Sequence, residues 1–506
     1  MFGVKPPKVK TRTVAVPVRK APDPKTPAPS KSHARPTTGA PNAAPQNRYR
    51  LSSPPRTKTT AAAHASTTNG RKSVTVKSVR KRKVETYTPL SSDDDSGSDD
   101  DSADGRKRQK ISSSIEPMGL NRCLEPDSHR RIRLPSSAAN GLQEGKQQNG
   151  TSGGAKADLI HGRGICIRWA KKYKPVFPTE PVPPVVHLQY PSPSKPERFE
   201  LSIPRDLSDF NPLEDIYFTI EEIVQHYLPP DLAAELSSEA DGTVRLLKRA
   251  VHKKEAKDFI DTIEQFNKMI QKNIDNGTIA TVLDEKHAIP LSLVRRIVDQ
   301  VYWRRVSPFA HVLKRVKGKE TTYGELLAPF VHTIFQQTNL NSQSVFVDLG
   351  SGVGNVVLQS ALQTGAESHG IEIMDAAAGY ANDQATELRA RAKLWNINLG
   401  PMTLLHGDFL ESPQIDDVLR RADVVLVNNK VFPSKLNNQL LDKFLDLKQG
   451  CKVVSLASFG GGGSKHGARN ENSIANLFDE ERYDSGTGSV SWAGESVEYF
   501  IMTKVR

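Results

Sequence analysis

A glycine-rich turn in the C-terminal half of the chain is the first candidate for a chemical site. The apolar run Val345–Leu349 predicts a buried strand, and glycines at positions 350, 352 and 354 follow it, ahead of a helical pattern. Such a turn lets a ligand approach backbone amides and a helix N-terminus. Asp348 would repel a pyrophosphate and attract an ammonium, and Asn355 stands where a dinucleotide fingerprint needs glycine. The turn therefore favours a cofactor with a cationic amino-acid end, such as S-adenosylmethionine.

Two further carboxylates follow the next two predicted strands. Glu372 lies 24 residues after Asp348, where a carboxylate in nucleotide-binding folds accepts both ribose hydroxyls. Asp408 could accept the adenine amino group, and Phe409 could offer an aromatic face to the ring. The alternative for this pair is an N-cap aspartate before a core phenylalanine.

An asparagine pair ends the fourth predicted strand. Asn428 and Asn429 precede Lys430, Val431 and Phe432, at the sheet edge that would face a transferable methyl group. Methyltransferases that act on base amino groups usually carry prolines and an aromatic residue here, and this chain lacks the prolines. The pair therefore predicts an acceptor for an amine, and does not indicate a planar base.

The elements around these residues alternate between strand and helix. We expect strands at residues 345–349, 368–373, 402–406, 424–427 and 451–457, and helices at 356–362, 375–394 and 435–447. This alternation predicts an α/β fold with a doubly wound, mostly parallel sheet. Residues 459–469 read as a loop, and residues 488–504 as a terminal antiparallel hairpin at the sheet edge.

A different pattern precedes the predicted sheet. Residues 165–169 alternate like a short strand, and residues 174–196 are rich in proline and extended. Apolar residues then recur at helical spacing over residues 213–227, 246–274 and 291–303. We therefore divide the ordered part into an extended segment with a helical subdomain at 161–315 and a cofactor-binding catalytic domain at 316–506.

Residues 1–160 form a basic segment with few aromatic or branched aliphatic residues. They hold 30 Lys and Arg against 14 Asp and Glu, whereas residues 161–506 hold 40 against 43. This composition predicts a disordered tail that binds DNA non-specifically through its phosphates. Basic clusters at residues 80–83 and 106–110 flank an acidic run and indicate nuclear import, so we expect the protein in the nucleus.

Other classes of protein are disfavoured by the sequence. The 3 cysteines are widely separated and form no metal-ligand or disulfide pattern, so we expect no metal site. There is no run of about 18 apolar residues and no secretory signal, so we expect no membrane association.

Six ordered motifs together resemble the Dot-one (disruptor of telomeric silencing) family of histone lysine methyltransferases, which lack a SET domain. They are residues 323–326 (YGEL), 347–357 (VDLGSGVGNVV), 370–375 (GIEIMD), 407–409 (GDF), 426–429 (LVNN) and 489–492 (SVSW). The resemblance covers about residues 190–506, and the basic tail before the catalytic domain is most similar to the fungal members.

The resemblance implies a seven-stranded methyltransferase sheet and transfer of one to three methyl groups from S-adenosylmethionine to a lysine in the globular core of histone H3 within nucleosomes. It implies catalytic or channel-lining roles for Tyr323, Asn428, Trp492 and Tyr499. The implied cofactor-binding residues are Tyr323, Gly324, Glu325, Leu326, Phe346, Val347, Asp348, Leu349, Gly350, Ser351, Gly352, Val353, Gly354, Asn355, Glu372, Asp408 and Phe409.

Further expectations follow from the same resemblance. The implied partner is the nucleosome, with histone H4 and ubiquitinated H2B as additional candidates, and the implied roles are telomeric silencing and the DNA-damage checkpoint. Lys430 and Gly318 depart from relatives, which carry aromatic residues there. Two alternatives stay open, a nucleic-acid N-methyltransferase and a non-catalytic chromatin-binding scaffold.

Overall fold

The computed structural model describes residues 121–135, 159–178, 180, 182–313, 324–459 and 474–506. The first elements are helix α1 (Gly162–Arg168) and four short strands, β1 (Tyr173–Pro175), β2 (Val185–Leu188), β3 (Glu197–Glu200) and β4 (Ser202–Pro204). These strands form two separate antiparallel pairs, β1 with β4 and β2 with β3.

Helix α1 corrects one sequence prediction, because residues 165–169 were expected to form a strand. Ile165 and Cys166 are buried next to each other, whereas a half-buried strand would bury alternate residues. The start of the helix packs against β3 so closely that a Cβ atom at Gly162 would lie 2.5 Å from the Phe199 ring. Five residues of alternating character are too few to separate the two periodicities.

A helical subdomain follows, as expected. Its members are α2 (Pro212–Tyr227), α3 (Pro230–Leu236), α4 (Thr243–Lys253), α5 (Ala256–Asp275), α6 (Thr278–Asp284), α7 (Leu291–Arg305) and α8 (Ala310–Leu313). Asn211 caps α2 by accepting from the Leu213 N–H, and Pro212 begins the helix. The predicted helical stretch 246–274 is two helices, because Lys254 ends α4 in the left-handed conformation.

The C-terminal half forms the expected seven-stranded sheet. Helix α9 (Ala328–Thr338) precedes β5 (Val345–Leu349), α10 (Asn355–Gln363), β6 (Glu367–Glu372), α11 (Asp375–Leu394), β7 (Met402–His406), α12 (Pro413–Leu419), β8 (Val424–Val427), α13 (Ser434–Lys443), β9 (Lys452–Ser455), β10 (Phe478–Asp484) and β11 (Glu498–Lys504). The strand order is β10-β11-β9-β8-β5-β6-β7, with β5 to β9 parallel and β10 and β11 antiparallel. The doubly wound methyltransferase-type fold is therefore confirmed.

The terminal hairpin differs from its prediction. Its strands are β10 and β11, and the predicted hairpin residues 488–497 belong to the connection between them. The sequence of β10, FDEERYD, exposes most of its charged side chains at the sheet edge, so it lacks the apolar alternation that marks a strand. Of the predicted loop at 459–469, residues 460–469 lie outside the described residues.

A buried ion-pair network joins the helical subdomain to the sheet domain. The Glu197 carboxylate of β3 accepts from Arg304 of α7 at 2.8 Å and from Arg391 of α11 at 3.0 Å. Gln300 of α7 accepts from the Trp395 indole at 3.0 Å through its amide oxygen. Glu197, Arg304 and Arg391 are almost completely shielded from solvent. The two regions therefore share one polar core, surrounded by apolar residues of both.

Residues 121–135, which the sequence analysis placed in a disordered tail, pack against the sheet domain. Arg130 is buried and donates to the carbonyl oxygens of Leu362 and Gln363, at the C-terminal end of α10. Ile132 is buried, and its carbonyl accepts from the Asn398 N–H at 2.7 Å. The segment is held by side-chain and backbone hydrogen bonds to the sheet domain, including those of Arg130 to carbonyls at the end of α10. Amino-acid composition, on which the prediction of disorder rested, does not reveal such contacts. Residues 1–120 and 136–158 lie outside the described residues.

The described ranges lack a membrane-spanning helix and a metal-ligand cluster. None of their helices combines the length and apolar character needed to cross a bilayer. They also contain no group of three or more His, Cys, Asp and Glu side chains arranged to hold a metal ion.

Candidate functional site

The glycine-rich turn lies at the carboxyl edge of the sheet, between β5 and α10. Gly350, Gly352 and Gly354 have φ angles of 87°, 55° and 84°, a region that favours glycine. The N–H groups of Gly350 and Ser351 donate to the Ile371 carbonyl of the neighbouring strand, at 2.9 and 3.0 Å. The turn is thereby held against the end of β6.

Two acidic side chains converge beside this turn, Asp348 near the end of β5 and Glu372 at the end of β6. Both are more than nine-tenths buried. Glu372 is held by two backbone donors, the Gly352 N–H at 2.9 Å and the Met374 N–H at 2.8 Å. A carboxylate has about four acceptor positions. Glu372 therefore keeps the capacity to accept the two hydroxyls of a ribose.

Asp348 is electrostatically strained. Burial, followed by the negative charge of Glu372, raises the pKa of its carboxyl to about 8. A carboxyl in such a position favours a cation as its partner, since an opposite charge removes the cost of ionisation. The ammonium of an amino acid satisfies this requirement, and a phosphate does not.

The turn also has room and an unused polar atom for a ligand. A Cβ atom built on Gly350 would meet no atom within 4 Å. Among the described residues, the buried Ser351 hydroxyl oxygen has no hydrogen-bond partner. Together with the Asp348 carboxyl, these features fit a cofactor that carries an amino-acid end.

Gly370 of β6 begins the GIEIMD motif but was not among the predicted site residues. A Cβ atom there would lie 2.8 Å from the Ser351 hydroxyl oxygen and 2.8 Å from a Val357 methyl group. The absence of a side chain in the middle of the strand lets the glycine turn approach the sheet. A glycine inside a strand pattern is the available signal for such an approach.

Asp408 and Phe409 follow β7, next along the same edge. The Asp408 carboxylate accepts from the Leu410 N–H at 2.8 Å, a local turn that leaves its other oxygen available. The Phe409 ring stacks on Phe432 with centroids 6.2 Å apart and an interplanar angle of 28°. The N-cap alternative for Asp408 is wrong, because Ser412 is the N-cap of α12 and accepts from the Ile415 N–H. An aromatic surface for a base is compatible with the geometry.

The two asparagines after β8 have different environments. Asn429 is buried, donates to Asn437 and the Ala457 carbonyl, and accepts from the Leu456 and Ala457 N–H groups. Its amide is completely used in joining the ends of β8 and β9. Asn428 is half-buried, and within the described residues its side chain makes no hydrogen bond. Only Asn428 of the pair is available to a substrate.

A short segment before α9 pairs with residues near the C-terminal hairpin. The Leu327 N–H donates to the Ser489 carbonyl at 2.9 Å, and the Ser491 N–H donates to the Glu325 carbonyl at 2.9 Å. The indole of Trp492 covers Gly324, where a Cβ atom would lie 2.4 Å from the ring. Trp492 itself stays 41% exposed. The pairing therefore brings two of the sequence-predicted motifs, YGEL and SVSW, together.

Comparison with known proteins decides the family. A curated relative from Aspergillus fumigatus, named "Histone-lysine N-methyltransferase, H3 lysine-79 specific", is 41% identical over 417 residues, which is 82% of this chain and 79% of the relative. The chain belongs to the DOT1 family. The family described as "Histone methylation protein DOT1" matches residues 302–504.

Two further relatives carry the same name as the Aspergillus fumigatus protein. Proteins with the same name are 43% identical in Emericella nidulans, over 68% of this chain and 70% of the relative, and 38% identical in Gibberella zeae, over 66% and 68%. A solved RNA methyltransferase from Salinibacter ruber, in complex with S-adenosyl-L-homocysteine, covers 36% of this chain and 93% of its own, at 20% identity and a TM-score of 0.24. That likeness is too low to bear on function.

Tyr499 lies in the core, although the DOT1 resemblance assigned it to a substrate channel. Its ring packs between Phe330 and Tyr483, with centroids 4.9 and 5.4 Å away, and its hydroxyl donates to the Gln337 side-chain oxygen at 2.7 Å. Burial raises the pKa of this phenol. The described contacts thus support a packing role for Tyr499, and its catalytic role stays a prediction.

The two departures from DOT1 relatives, and Tyr323, lie in different parts of the chain. Tyr323 and Gly318 belong to residues 314–323, which lie outside the described residues. Lys430, the other departure from DOT1 relatives, is exposed at the carboxyl edge, two residues after Asn428. Its ammonium therefore has access to solvent.

Changing Gly324 tests the contact between the two motifs. We expect Gly324→Ala to push the Trp492 ring aside and to lower kcat/KM for methyl transfer by about 10- to 100-fold, because small displacements in positioning residues cost this much. Gly494→Ala is the control, since a Cβ atom there meets nothing within 4 Å. Unchanged kinetics in Gly324→Ala would show that the position of Trp492 is unimportant.

Proposed function

We propose that this chain transfers methyl groups from S-adenosylmethionine to the side-chain amine of lysine 79 of histone H3 in nucleosomes. The observation that carries the proposal is the buried Asp348 carboxyl beside Glu372, at the edge where Asn428 is available. Membership of a family whose relatives are named H3 lysine-79 specific supports the choice of substrate.

The proposed cofactor supplies an electrophilic methyl group on a sulfonium. In this assignment Asp348 binds its ammonium, Glu372 accepts from its ribose hydroxyls, and Asp408 with Phe409 hold its adenine. The raised pKa of Asp348 and the two donors that orient Glu372 support these roles. The roles of Tyr323 and the remaining residues of the turn rest on the family resemblance.

The chain's contribution to the reaction is positioning. Methyl transfer needs a neutral amine in line with the reacting carbon, and alignment of this kind supplies roughly 7–11 kcal/mol of the barrier. The Asn428 amide oxygen accepts one amine N–H and points the nitrogen lone pair at the methyl group. Trp492 at the rim attracts the growing methylammonium through its ring.

The proposed setting is chromatin in the nucleus. The basic residues before position 121 bind nucleosomal DNA, and histone H3 is the partner that the reaction requires. Contacts to histone H4 and ubiquitinated H2B, and roles in telomeric silencing and the DNA-damage checkpoint, rest on the family resemblance alone.

The test incubates the protein with nucleosomes and methyl-labelled cofactor and maps the modified residues by mass spectrometry. We expect label on lysine 79 of histone H3 and none on DNA. Label on DNA would favour a nucleic-acid methyltransferase, and calorimetry without cofactor binding would favour a non-catalytic scaffold.

Asn428→Ala tests the proposed role of Asn428 in orienting the lysine amine. We expect kcat to fall by at least about 100-fold with cofactor affinity unchanged, because the lost interaction orients the amine alone. Lys430→Ala, two residues away and exposed, is expected to retain the wild-type kcat within about threefold. Equal rates for Asn428→Ala and the wild type would remove Asn428 from the mechanism.

A further inference from the structure

A basic surface surrounds helix α1, on the helical subdomain and outside the cofactor site. Residues 159–174 contain five Lys and Arg and no Asp or Glu. We define the Trp169 patch as the cations Arg163, Arg168, Lys171, Lys174 and Arg198 around the Trp169 ring. All except the partly buried Arg163 are exposed.

The patch is concave and its cations are partly pre-positioned. A cavity of about 370 Å³ is lined by residues that include Arg163, Arg168, Trp169, Arg198 and Phe309. The Arg168 guanidinium lies 5.1 Å from the Phe309 ring centroid and 5.7 Å from that of Trp169, within cation–π distance. Within the described residues, the Arg163 Nε atom is buried and has no hydrogen-bond partner.

The nearby acidic groups leave the patch cationic. Asp209 pairs with Lys172 at 2.8 Å, which removes that lysine from the patch. Glu197 is committed to the buried arginine network. Glu200 accepts from the Ser202 hydroxyl at 2.7 Å and keeps its negative charge, but the five cations of the patch outnumber it. The exposed cations of the patch are therefore available to an anionic partner.

Aromatic contacts connect the patch to the cofactor turn. Trp169 meets Phe309 edge to face, with centroids 6.3 Å apart, and Phe309 stacks on Tyr380 of α11 at 5.8 Å and 17°. Tyr380 in turn packs against the apolar cluster that contains Val353 of the glycine turn. The patch is thus linked to the glycine turn through packed aromatic rings.

We propose that the Trp169 patch binds the phosphate backbone of duplex DNA. The proposal rests on the proposed function, since the DNA is that of the nucleosome being methylated. Lysine and arginine side chains of one sign along a surface match the regular negative charge of a duplex. Residues 161–506 carry 40 basic against 43 acidic residues, so DNA contact by this part of the chain requires a local patch of this kind.

Charge favours DNA over an acidic protein surface. Residues 1–90 are strongly basic, with 20 Lys and Arg against 2 Asp and Glu, whereas residues 91–160, which lead into α1, hold 10 against 12. The patch is a second basic region, within the part of the chain that the structure describes. Residues 1–90 and the Trp169 patch then bind phosphates of the same DNA molecule.

The test compares two variants of the full-length protein with equal loss of charge. Arg168→Gln with Lys171→Gln removes two patch cations, and Lys268→Gln with Lys272→Gln removes two exposed cations of α5. Binding to a 30-base-pair duplex and to nucleosomes is measured between about 0.05 and 0.2 M salt. We expect the patch variant to bind both about tenfold more weakly, with a salt slope smaller by about 1.8, because each phosphate contact contributes about 0.9.

The control variant is expected to keep the wild-type affinity and slope, and both variants are expected to bind S-adenosylmethionine normally. Unchanged duplex affinity in the patch variant would overturn the proposal, and weaker binding to nucleosomes alone would assign the patch to an acidic histone surface instead. Failure of the proposed function has a different signature, because the wild-type protein would then leave histone H3 unmethylated while still binding DNA.

Discussion

Asp348→Asn is expected to weaken the binding of S-adenosylmethionine by about 10- to 150-fold. The variant keeps the shape of the side chain and removes the only charge that the proposal places against the cofactor ammonium. A hydrogen bond to a charged group contributes roughly 1.5–3 kcal/mol, which corresponds to a factor of about 10 to 150 in affinity. Calorimetric titration measures the change. Asp383→Asn, an exposed carboxylate of α11, is the control and should bind like the wild type.

The same variant should become more stable than the wild type as the pH rises. Burial and Glu372 raise the pKa of Asp348 to about 8, above the value of about 4 in an unfolded chain. The folded state therefore favours the protonated form, and its advantage is lost as the pH rises from about 4 through about 8. We expect Asp348→Asn to match the wild type near pH 4 and to exceed its free energy of unfolding by a few kcal/mol at pH 9.

Urea unfolding at several pH values gives this comparison directly. A stability difference that is constant with pH would show that Asp348 is already ionised and paired in the folded chain. Together with unchanged cofactor affinity, it would end the assignment of Asp348 as the ammonium partner.

Glu197→Gln is expected to have the largest effect on stability. Glu197 is completely buried and accepts from Arg304, Arg391 and the Tyr190 hydroxyl. The two arginines hold the pKa of this carboxyl far below its usual range, although burial alone would raise it. Removing the charge leaves two buried guanidinium groups without full compensation, which costs about 3–5 kcal/mol in comparable buried pairs.

The control for this change is Glu498→Gln, because Glu498 pairs with Arg482 on the exposed sheet edge. Exposed ion pairs contribute at most about 1 kcal/mol. Thermal unfolding should therefore separate the two variants clearly. A loss below about 1 kcal/mol in Glu197→Gln would mean that Asp215 and Glu387, the other carboxylates beside Arg304 and Arg391, compensate the two guanidinium groups without Glu197.

The sequence predicted the sheet well because its strands have strong local signals. Residues 402–406 and 424–427 and the helix at 375–394 have the predicted bounds, since buried apolar runs and a long helical pattern leave little ambiguity. Helix α1 and strand β10 were missed. Their residues adopt a conformation that depends on β3 and β11, which a local pattern does not contain.

The parts of the candidate site that could be predicted are those where the position of a residue in the strand–turn–helix pattern suggests a single chemical role. The glycine turn, Glu372 and the position of Asn428 follow from the order of strand, turn and helix. The separation of Asn428 from Asn429 was not predictable, because it depends on which side chain faces the end of β9. The ion-pair network around Glu197 joins residues up to 194 positions apart, a distance at which sequence spacing carries no information.

The position of β11 has a consequence for incomplete chains. This strand lies between β9 and β10, so a protein that stops before residue 498 exposes the backbone of β9 along a largely apolar edge. Unprotected edges of this kind pair with other copies and aggregate. Premature termination should consequently yield insoluble material rather than a partially active enzyme.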